Sequence, residues 1–380
     1  MRSLVLHKTG SSENYSSLFR IEEKPMPEFS DEEILIKIEC AALNHRDLYI
    51  AEGAYSKIKL PVILGSDGAG IVFKTGENVT QFNVGDKVII YPCKNWGASE
   101  EFQNRNIEIL GMPQDGTFSE FIKVHHSRVF KFPDHLNFSE AASFPLAGLT
   151  AYRALFEKAK LANNDNILIT GAGGGVSSMS LIFAIASGAR VFVTSGSNEK
   201  IAKAVLLGAA GGVNYRDENW HEELHSISEN KIDVIIDGTG GENYTKLIEI
   251  ISYGGRIISY GATLGASKFL DLHKVYWKQL KIMGTTMGTD KDFSDMLNFI
   301  EANKIKPVID SIHNLSDYFN AFDRMKNSEQ FGKIILEIDS QKKNSVMSFK
   351  HSKLVKGTYT IQHSLKQKYF QTILQIKNRS

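Results

Sequence analysis

The stretch from Asn166 to Ser177 constrains the fold more than any other part of this 380-residue chain. Residues 167–170 are apolar or β-prone and predict a short buried strand, followed by a glycine cluster and a helical run. A strand, a glycine turn and a helix form the unit that binds a pyrophosphate, because the glycines allow close backbone approach and the helix N-terminus supplies N–H donors. The residues assigned to this turn are Gly171, Gly173, Gly174, Gly175 and Val176.

The apolar runs after the glycine turn recur at regular spacing. They predict strands at 167–170, 190–194, 233–236, 256–260 and 280–285, helices at about 178–187, 199–207, 242–252 and 291–303, and a last strand at 333–338. Alternation of strands and helices predicts a parallel sheet with right-handed crossovers. Residues 1–125 instead carry short alternating runs separated by turn residues, which favour a small irregular barrel.

The region between these two parts carries weaker signals. Residues 94–115 are polar and predict a long surface loop. Ser139 is the predicted N-cap of a short helix that runs into Pro145. A second helix is expected from about Gly148 to Lys160, leading to the glycine turn.

Composition and charge narrow the function classes. The chain is 42% hydrophobic and 23% charged, as is ordinary for a globular protein. Nine of the 44 Lys and Arg residues and none of the 43 acidic residues lie in 341–380, so the rest of the chain has a net charge of −8. An acidic body is unlike a nucleic-acid binder, and the basic, polar stretch at 341–380 predicts a disordered tail. The sequence shows neither a secretory signal nor an apolar run of about 18 residues, so a cytoplasmic protein without a membrane segment is expected.

Several ordered motifs carry a family resemblance. They are Ala42-Leu-Asn44-His-Arg-Asp47-Leu-Tyr49, Gly53-Ala-Tyr55, Pro61-Val-Ile-Leu-Gly65-Ser-Asp67-Gly-Ala-Gly70, Val84-Gly-Asp-Lys-Val88, Gly116-Thr-Phe-Ser-Glu-Phe121, Pro145-Leu-Ala-Gly-Leu-Thr-Ala-Tyr152, the glycine turn, and Phe331-Gly-Lys333. Together they resemble the medium-chain dehydrogenase/reductase superfamily, in its zinc-free quinone oxidoreductase-like and zinc-type alcohol dehydrogenase-like branches. The resemblance covers about residues 1–340.

The resemblance implies an α/β fold with two domains. A GroES-like β-barrel catalytic domain is expected from residues 1–145 and 287–340. A Rossmann domain, which is a doubly wound parallel sheet, is expected at 146–286 as an insertion near the end of the catalytic domain. Relatives often form homodimers by joining the edges of their Rossmann sheets, so a homodimer is expected here too.

Zinc ligands are missing where the resemblance would place them. Asn44, Ser66 and the region 144–145 occupy those positions, and amide and hydroxyl groups are poor ligands for Zn²⁺. A structural zinc lobe would need four cysteines, but residues 93–115 contain only Cys93. We therefore predict no metal. The alternative is a makeshift site of His45, Asp67 and Cys40, although an isolated histidine near a carboxylate is more often hydrogen-bonded than metallated.

The residues after the second Rossmann strand indicate the cofactor. NAD-specific sites place an acid about 20 residues beyond the glycines, and the resemblance puts Ser195 at that position. Ser195, Ser197 and Lys200 are donors for a 2′-phosphate, whereas Glu199, the nearest acid, is expected to point away. Tyr215 matches a tyrosine near the adenosine phosphate of NADP-dependent relatives. The prediction is NADPH; the alternative makes Lys200 a solvated residue and Tyr215 a packing residue.

Other cofactor contacts come from the resemblance alone. Gly261, Thr263 and Met287 are assigned to the nicotinamide side, and residues 237–240 to the adenosine side. Lys333 is expected to reach both Asp67 and the pyrophosphate, linking the two domains. Ser177 replaces a glycine that is usual in relatives, and its hydroxyl is a candidate to face a phosphate.

One segment carries the predicted chemistry. Reduction of a quinone, an enone or an enoyl thioester by hydride needs donors to the developing oxyanion and a proton source, but no metal. Asn44, Tyr49 and Tyr55 are the predicted catalytic residues, and Asp47 is expected to make structural hydrogen bonds. His45 and Arg46 should make the substrate mouth polar. The alternatives are an alcohol or aldehyde dehydrogenase-like enzyme, and a non-catalytic NADPH-binding scaffold whose basic tail binds polyanions such as RNA.

Overall fold

The structure, a computed structural model, describes residues 1–338, without the side chains of residues 12–14. The predicted tail at 341–380 lies outside the described residues. None of the helices that the structure describes is long and apolar enough to cross a membrane.

The strands fall into two groups along the described chain. The first group is β1 Arg2–Leu6, β2 Phe19–Glu23, β3 Glu33–Ala42, β4 Val62–Ile63, β5 Asp67–Thr75, β6 Lys87–Ile90, β7 Cys93–Lys94, β8 Glu108–Ile109, β9 Phe121–His125 and β10 Val129–Lys131. The second group is β11 Asn166–Ile169, β12 Arg190–Ser195, β13 Gly211–Asn214, β14 Val234–Asp237, β15 Arg256–Ser259, β16 Lys281–Gly284, β17 Ile309–Asn314 and β18 Lys333–Glu337.

The β-rich part is organised around β3. One sheet has the order β10-β6-β5-β3-β18-β17, with β9 also paired to β3; smaller sheets join β2-β1-β4 and β7-β8. Ile34, Ile36 and Ile38 of β3 are fully buried, while Lys37 and Glu39 are half-buried, which is the alternation expected of a strand with one core face. The predicted β character of this part is confirmed, and the last strand, β18, returns to it.

The second sheet is parallel throughout and has the order β13-β12-β11-β14-β15-β16. This is a doubly wound order, and its direction of winding reverses between β11 and β14, where such folds open a ligand crevice at the carboxyl ends of the strands. The predicted sheet is confirmed. Strand β13 was not predicted, because Gly211 and Gly212 are typical of a turn.

The helices connect and cover these sheets. They are α1 His45–Ala51, α2 Phe138–Ala142, α3 Pro145–Tyr152, α4 Gly175–Ala186, α5 Asn198–Leu206, α6 Trp220–Ile227, α7 Tyr244–Ile250, α8 Leu272–Trp277, α9 Asp290–Ala302 and α10 Tyr318–Lys326. A π-helical segment, Arg153–Lys158, continues α3, and short 3-10 helices span Ser12–Ser17, His126–Arg128 and Leu315–Asp317.

Three local predictions need correction. The N-cap of α2 is Asn137 rather than Ser139, because Asn137 and Glu140 form a reciprocal capping box. Helix α3 begins at Pro145 rather than near Gly148, since proline is accommodated at the first helical position. The stretch predicted as one long loop at 94–115 contains β8, which pairs with β7.

A shared core fixes the two sheets beside each other. One cluster of buried side chains includes Ala42 and Ala69 of the β-rich sheet, Leu149 of α3, and Ile169 and Met179 from the two sides of the glycine turn. Side chains at the ends of β3, β5 and β18 are thereby held close to the start of α4. The exact predicted boundaries at residues 145 and 286 stay a prediction.

Candidate functional site

The glycine turn follows β11 and delivers the chain into α4. Gly171 has a φ of +65°, which favours glycine, and α4 begins at Gly175. A Cβ atom on Gly173 would lie 2.9 Å from Cδ of Lys200, and one on Gly175 would lie 2.8 Å from Cδ of Lys333. A Cβ atom on Gly173 would also lie 2.7 Å from the Gln330 carbonyl oxygen, a backbone atom that cannot move aside, so this glycine is required by the close approach of the backbone.

Ser177 points into the protein. Its side chain is 2% exposed; the hydroxyl donates to the carbonyl oxygen of Thr170 over 2.9 Å and accepts from the Tyr260 hydroxyl over 2.9 Å. Burial raises the pKa of Tyr260 to about 12, so this phenol remains a donor. Ser177 also borders the cleft over the glycine turn, but its hydroxyl joins the helix start to β11 and to the end of β15, and its contact with a phosphate stays a prediction.

A cleft of about 690 Å³ opens over the glycine turn. Of the predicted cofactor residues it is lined by Gly171, Gly173, Gly174, Gly175, Val176, Ser195, Ser197, Lys200, Tyr215 and Thr263. Gly261, Met287 and Lys333 do not line it. Met287 is 3% exposed and belongs to the core, so a contact with a nicotinamide would require that side chain to move.

The far end of the cleft is rich in donors. Ser195 is buried and its hydroxyl accepts from the Ser197 backbone N–H over 3.2 Å, while the Ser197 side chain caps α5. A Cβ atom on Gly196 would lie 2.7 Å from the Tyr215 hydroxyl and 2.9 Å from Nε of Arg216, so both side chains close over this glycine. Arg216 makes no ion pair with a described residue. Sequence reasoning missed it, although a basic residue directly after the assigned tyrosine was a usable signal.

Glu199 and Lys200, which follow Ser195 in the chain, both have partners within the protein. Glu199 is exposed and pairs with Lys203 over 2.8 Å, one turn along α5. Lys200 donates from Nζ to the Ser328 carbonyl oxygen over 2.5 Å, and burial lowers the pKa of its ammonium. Lys200 thus lies across the glycine turn rather than in open solvent.

The turn after β14 borders the same cleft. The Asp237 carboxylate is buried and accepts hydrogen bonds from the Thr170 hydroxyl, the Thr239 hydroxyl and the backbone N–H groups of Thr239 and Gly240. A carboxylate with this many donors is a fixed part of the backbone scaffold. It shapes the turn predicted to lie on the adenosine side.

A buried ion pair lies on the other side of α4. Lys333 donates from Nζ to Oδ2 of Asp67 over 2.9 Å and to Oδ1 of Asn44 over 2.7 Å, and Nδ2 of Asn44 donates to Oδ2 of Asp67 over 2.9 Å. The predicted pair of Asp67 and Lys333 is present. Its two strands, β5 and β18, flank β3 in one sheet, so the pair does not itself link the two parts. That link is the Leu146 N–H at the start of α3, which donates to Oδ1 of Asp67 over 2.8 Å.

Helix α1 carries the predicted catalytic segment. The Asp47 carboxylate accepts from the backbone N–H groups of Asn44 over 2.8 Å and Gly65 over 3.3 Å, as its predicted structural role requires. Burial raises its pKa to about 6, against the opposing field of Arg46. His45 is half-buried and lines the cleft, and burial lowers the pKa of its imidazole, as does the nearby Lys333 charge.

Two phenols follow on the same segment. Tyr49 and Tyr55 are half-buried, and neither hydroxyl has a hydrogen-bond partner among residues 1–338. The rings of His45 and Tyr49 are 6.3 Å apart, and the Tyr55 ring lies 5.5 Å from the Arg46 guanidinium carbon. Asn44, in contrast, has only one Nδ2 hydrogen left for a ligand.

The donor set does not fit a zinc ion. Ser66, at one of the positions matched to a zinc ligand, accepts from Nη1 of Arg46 over 2.6 Å, and Asp67 is neutralised by Lys333. A fixed guanidinium in contact with a would-be ligand repels a divalent cation. The makeshift set of His45, Asp67 and Cys40 is not assembled either. Within the described chain, ligand atoms of three suitable residues come within 4.8 Å of one another only at Glu32, His125 and His126, on the surface beyond β9.

Comparison with known proteins agrees with this architecture. Residues 30–134 match the alcohol dehydrogenase GroES-like domain, and residues 175–302 match the zinc-binding dehydrogenase domain. A zinc-type alcohol dehydrogenase-like protein of Leptosphaeria maculans is 35% identical over 87% of this chain and 96% of its own length. A second such protein, of Schizosaccharomyces pombe, is 32% identical over 81% of this chain and 91% of its own. The crystal structure of an NAD-dependent alcohol dehydrogenase superposes with a TM-score of 0.84 at 32% identity, covering 89% of this chain and all of the other.

The fold, the cleft and these similarities define an oxidoreductase with a nucleotide-binding Rossmann fold. The chain belongs to the medium-chain dehydrogenase/reductase superfamily, in its zinc-type alcohol dehydrogenase-like branch. The predicted family and the predicted α/β fold, with GroES-like and Rossmann parts, are therefore confirmed.

Proposed function

We propose that this protein is an NADPH-dependent oxidoreductase that reduces activated alkenes, quinones or related carbonyl compounds by hydride transfer without zinc. The observation that supports it most is the donor set beside the glycine turn. Around Asn44 and Ser66 the protein offers amide, guanidinium and phenol donors, and the two buried acids in contact with Asn44 are already engaged, Asp67 by Lys333 and Asp47 by backbone N–H groups. Such a set suits stabilisation of an oxyanion better than it suits a metal.

The residues have separable tasks in this mechanism. NADPH, when bound, supplies a hydride to the electron-poor carbon of the acceptor. The glycine turn and the start of α4 would hold its pyrophosphate. His45, the first residue of α1, lines the same cleft. Tyr55 and Tyr49 are the proposed hydrogen-bond donors to the acceptor oxygen, and Tyr55 is the proposed source of the proton. Asn44 orients this side through its bonds to Asp67 and Lys333.

Preference for NADPH rests on the far end of the cleft. A buried Ser195 with Tyr215 and the unpaired Arg216 beside it favours a 2′-phosphate, which a carboxylate at position 195 would repel. An archaeal relative, 31% identical over 89% of this chain, is named as NAD-dependent, so the cofactor must be measured. Steady-state kinetics should give a kcat/KM at least ten-fold higher with NADPH than with NADH. Comparable values would contradict the proposal.

The acceptor class has support from relatives as well as from geometry. Two proteins that are 29% and 30% identical to this chain are named acryloyl-coenzyme A reductases, and reduction of such a conjugated thioester is the chemistry proposed here. Other relatives are named alcohol dehydrogenases, and this favours the second candidate, an alcohol or aldehyde dehydrogenase-like enzyme.

A panel of acceptors separates these candidates. NADPH oxidation should be measured with quinones, enones, enoyl thioesters and aldehydes, each with and without a chelator. Turnover confined to aldehydes and abolished by the chelator would favour the second candidate. Tight NADPH binding without any turnover would instead favour a scaffold, whose RNA affinity should then fall when residues 341–380 are deleted.

A homodimer is proposed from the free edge of the parallel sheet. Strand β16 ends the sheet order, and Ile282 on it is 37% exposed; on the preceding helix α8, Tyr276 and Trp277 are 65% and 62% exposed. An exposed strand edge with apolar neighbours is a typical pairing surface. Sedimentation should show a dimer that Ile282→Lys dissociates; a monomeric wild type would contradict this. The cytoplasmic location stays a prediction.

A further inference from the structure

Arg46 is a buried cation whose Nε and Nη2 atoms make almost no hydrogen bonds within residues 1–338. Its side chain is 9% exposed, and Nη1 donates to the Ser66 hydroxyl over 2.6 Å and to the Leu110 carbonyl oxygen over 2.7 Å. Among residues 1–338, Nε has no hydrogen-bond partner, and Nη2 makes only a long contact of 3.4 Å with the Met112 carbonyl oxygen. A buried charged donor left without a partner is costly, and bidentate binding of two oxygens or of one oxyanion would satisfy the edge formed by Nε and Nη2.

The charge of this guanidinium is not neutralised by direct contact. No carboxylate of the described residues lies within ion-pair distance of it, and the oxygens of the neighbouring Asp47 accept from backbone N–H groups instead. The Tyr55 ring covers the guanidinium at 5.5 Å. Arg46 thus places a positive charge between Ser66, at a position matched to a zinc ligand, and the proposed proton donor.

We propose that Arg46 takes the place of a metal ion and binds the carbonyl oxygen of an α,β-unsaturated acceptor. This inference rests on the proposed function and specifies its acceptor. Hydride adds to the β-carbon, and the C=C electron pair shifts to leave an enolate whose oxygen accepts hydrogen bonds from Nε and Nη2 of Arg46. The α-carbon then takes a proton, drawn from Tyr55 and replaced from solvent. NADPH is oxidised and the alkene is reduced to the saturated carbonyl compound.

A guanidinium suits this task for a physical reason. It remains protonated throughout the reaction and presents its N–H groups in a fixed plane, so no reorganisation is needed when negative charge develops on the oxygen. A purely structural Arg46 would hold the segment at 110–112 through Nη1, which bonds to Leu110, and through the long contact of Nη2 with Met112. The two roles differ at the Nε edge, which only the catalytic role employs.

The test compares two buried arginines. Arg46→Lys keeps the charge and removes the fork, whereas Arg153→Lys is the matched control, since Arg153 is 2% exposed, bonds to Asp292 and the Glu100 carbonyl, and lies over Trp96 at 5.0 Å. With an enone as acceptor, Arg46→Lys should lower kcat by about 10²–10³-fold at unchanged NADPH affinity, and Arg153→Lys should leave kcat unchanged. Unchanged kcat in folded Arg46→Lys would overturn the inference.

Chemical rescue adds a measure that a structural role would not move. Millimolar guanidinium chloride should restore part of the enone activity of Arg46→Ala, and an equal concentration of potassium chloride should not. Equal effects of the two salts would overturn the inference.

Wild-type protein provides a third measure should both variants fail to fold. An acceptor analogue that carries a carboxylate should bind the wild-type NADP⁺ complex about ten-fold more tightly than its amide isostere, and equal binding would overturn the inference. Failure of the proposed function is distinguishable, because wild-type protein would then reduce no enone at all.

Discussion

The two sides of the candidate site use polar groups in opposite ways. At the glycine turn, backbone N–H groups and the Arg216 guanidinium border an open cleft of about 690 Å³. Around Asn44, Asp67 and Lys333, every one of these side chains is at most 6% exposed and bonded to another. The side at the glycine turn leaves its donors open toward the cleft. The side around Asn44, Asp67 and Lys333 holds its charged groups in fixed positions.

The two sides therefore tolerate different substitutions. Backbone donors depend on the shape of the chain, so the turn accommodates Ser177 where relatives have a glycine, and its hydroxyl bonds to Thr170 and Tyr260. Fixed side-chain charges depend on residue identity. Asn44 and Ser66 in place of ligand-type residues, with Arg46 beside them, therefore change the available chemistry while the sheet stays the same.

The largest effect is expected for a substitution that breaks the buried network of Asn44, Asp67 and Lys333. Lys333→Met leaves the Asp67 carboxylate buried without its cation and should lower the free energy of unfolding by about 3–5 kcal/mol, measured by urea denaturation. Lys203→Met removes an exposed pair with Glu199 on the other side and should cost about 1 kcal/mol or less. If both variants lost a similar free energy of unfolding, the buried network would contribute no more to stability than the exposed pair.

The next effect is the dependence of stability on pH through Asp47. The pKa of Asp47 is raised to about 6, so its folded form favours the protonated carboxyl. Its contribution to stability is therefore present below the unfolded value near 3.9 and is lost as pH rises through about 6. The free energy of unfolding of wild type relative to Asp47→Asn should fall by roughly 3 kcal/mol from pH 3 to pH 8. A flat difference would mean that Asp47 is ionised throughout.

A somewhat smaller effect tests the cleft side. Ser195→Asp places a carboxylate where the 2′-phosphate is expected, and like-charge repulsion should reduce the NADPH-to-NADH ratio of kcat/KM by about 100-fold. Glu199→Gln, which changes an exposed and paired acid on the following helix α5, is the control and should leave the ratio unchanged. A ratio insensitive to Ser195→Asp would remove this end of the cleft from cofactor selection.

The smallest effect concerns the phenols. Tyr55→Phe should reduce kcat/KM on an enone by about 10–100-fold, because it removes a donor and a proton source. Tyr49→Phe should have a weaker effect, since Arg46 lies beside Tyr55. An unchanged kcat/KM for Tyr55→Phe would assign the proton to water.

Sequence reasoning predicted the cleft side better than the charged side. The glycine spacing and the apolar runs determine the sheet, and ten of the assigned residues line the cleft. Strand β13 and Arg216 were missed together. Gly211 and Gly212 are typical of a turn, so the strand that positions Arg216 was not predicted. Arg46 was predicted only to make the mouth polar, since its partners Ser66, Leu110 and Met112 come from distant segments. Non-local side-chain contacts of this kind have no periodic signal.

The most direct test of the central claim joins activity to metal content. The purified full-length chain should be assayed for NADPH oxidation with an enone before and after chelation, with zinc determined on the same sample. Turnover should be unchanged by the chelator, and the sample should contain no stoichiometric zinc. Stoichiometric zinc, with activity that chelation abolishes and added zinc restores, would contradict the central claim.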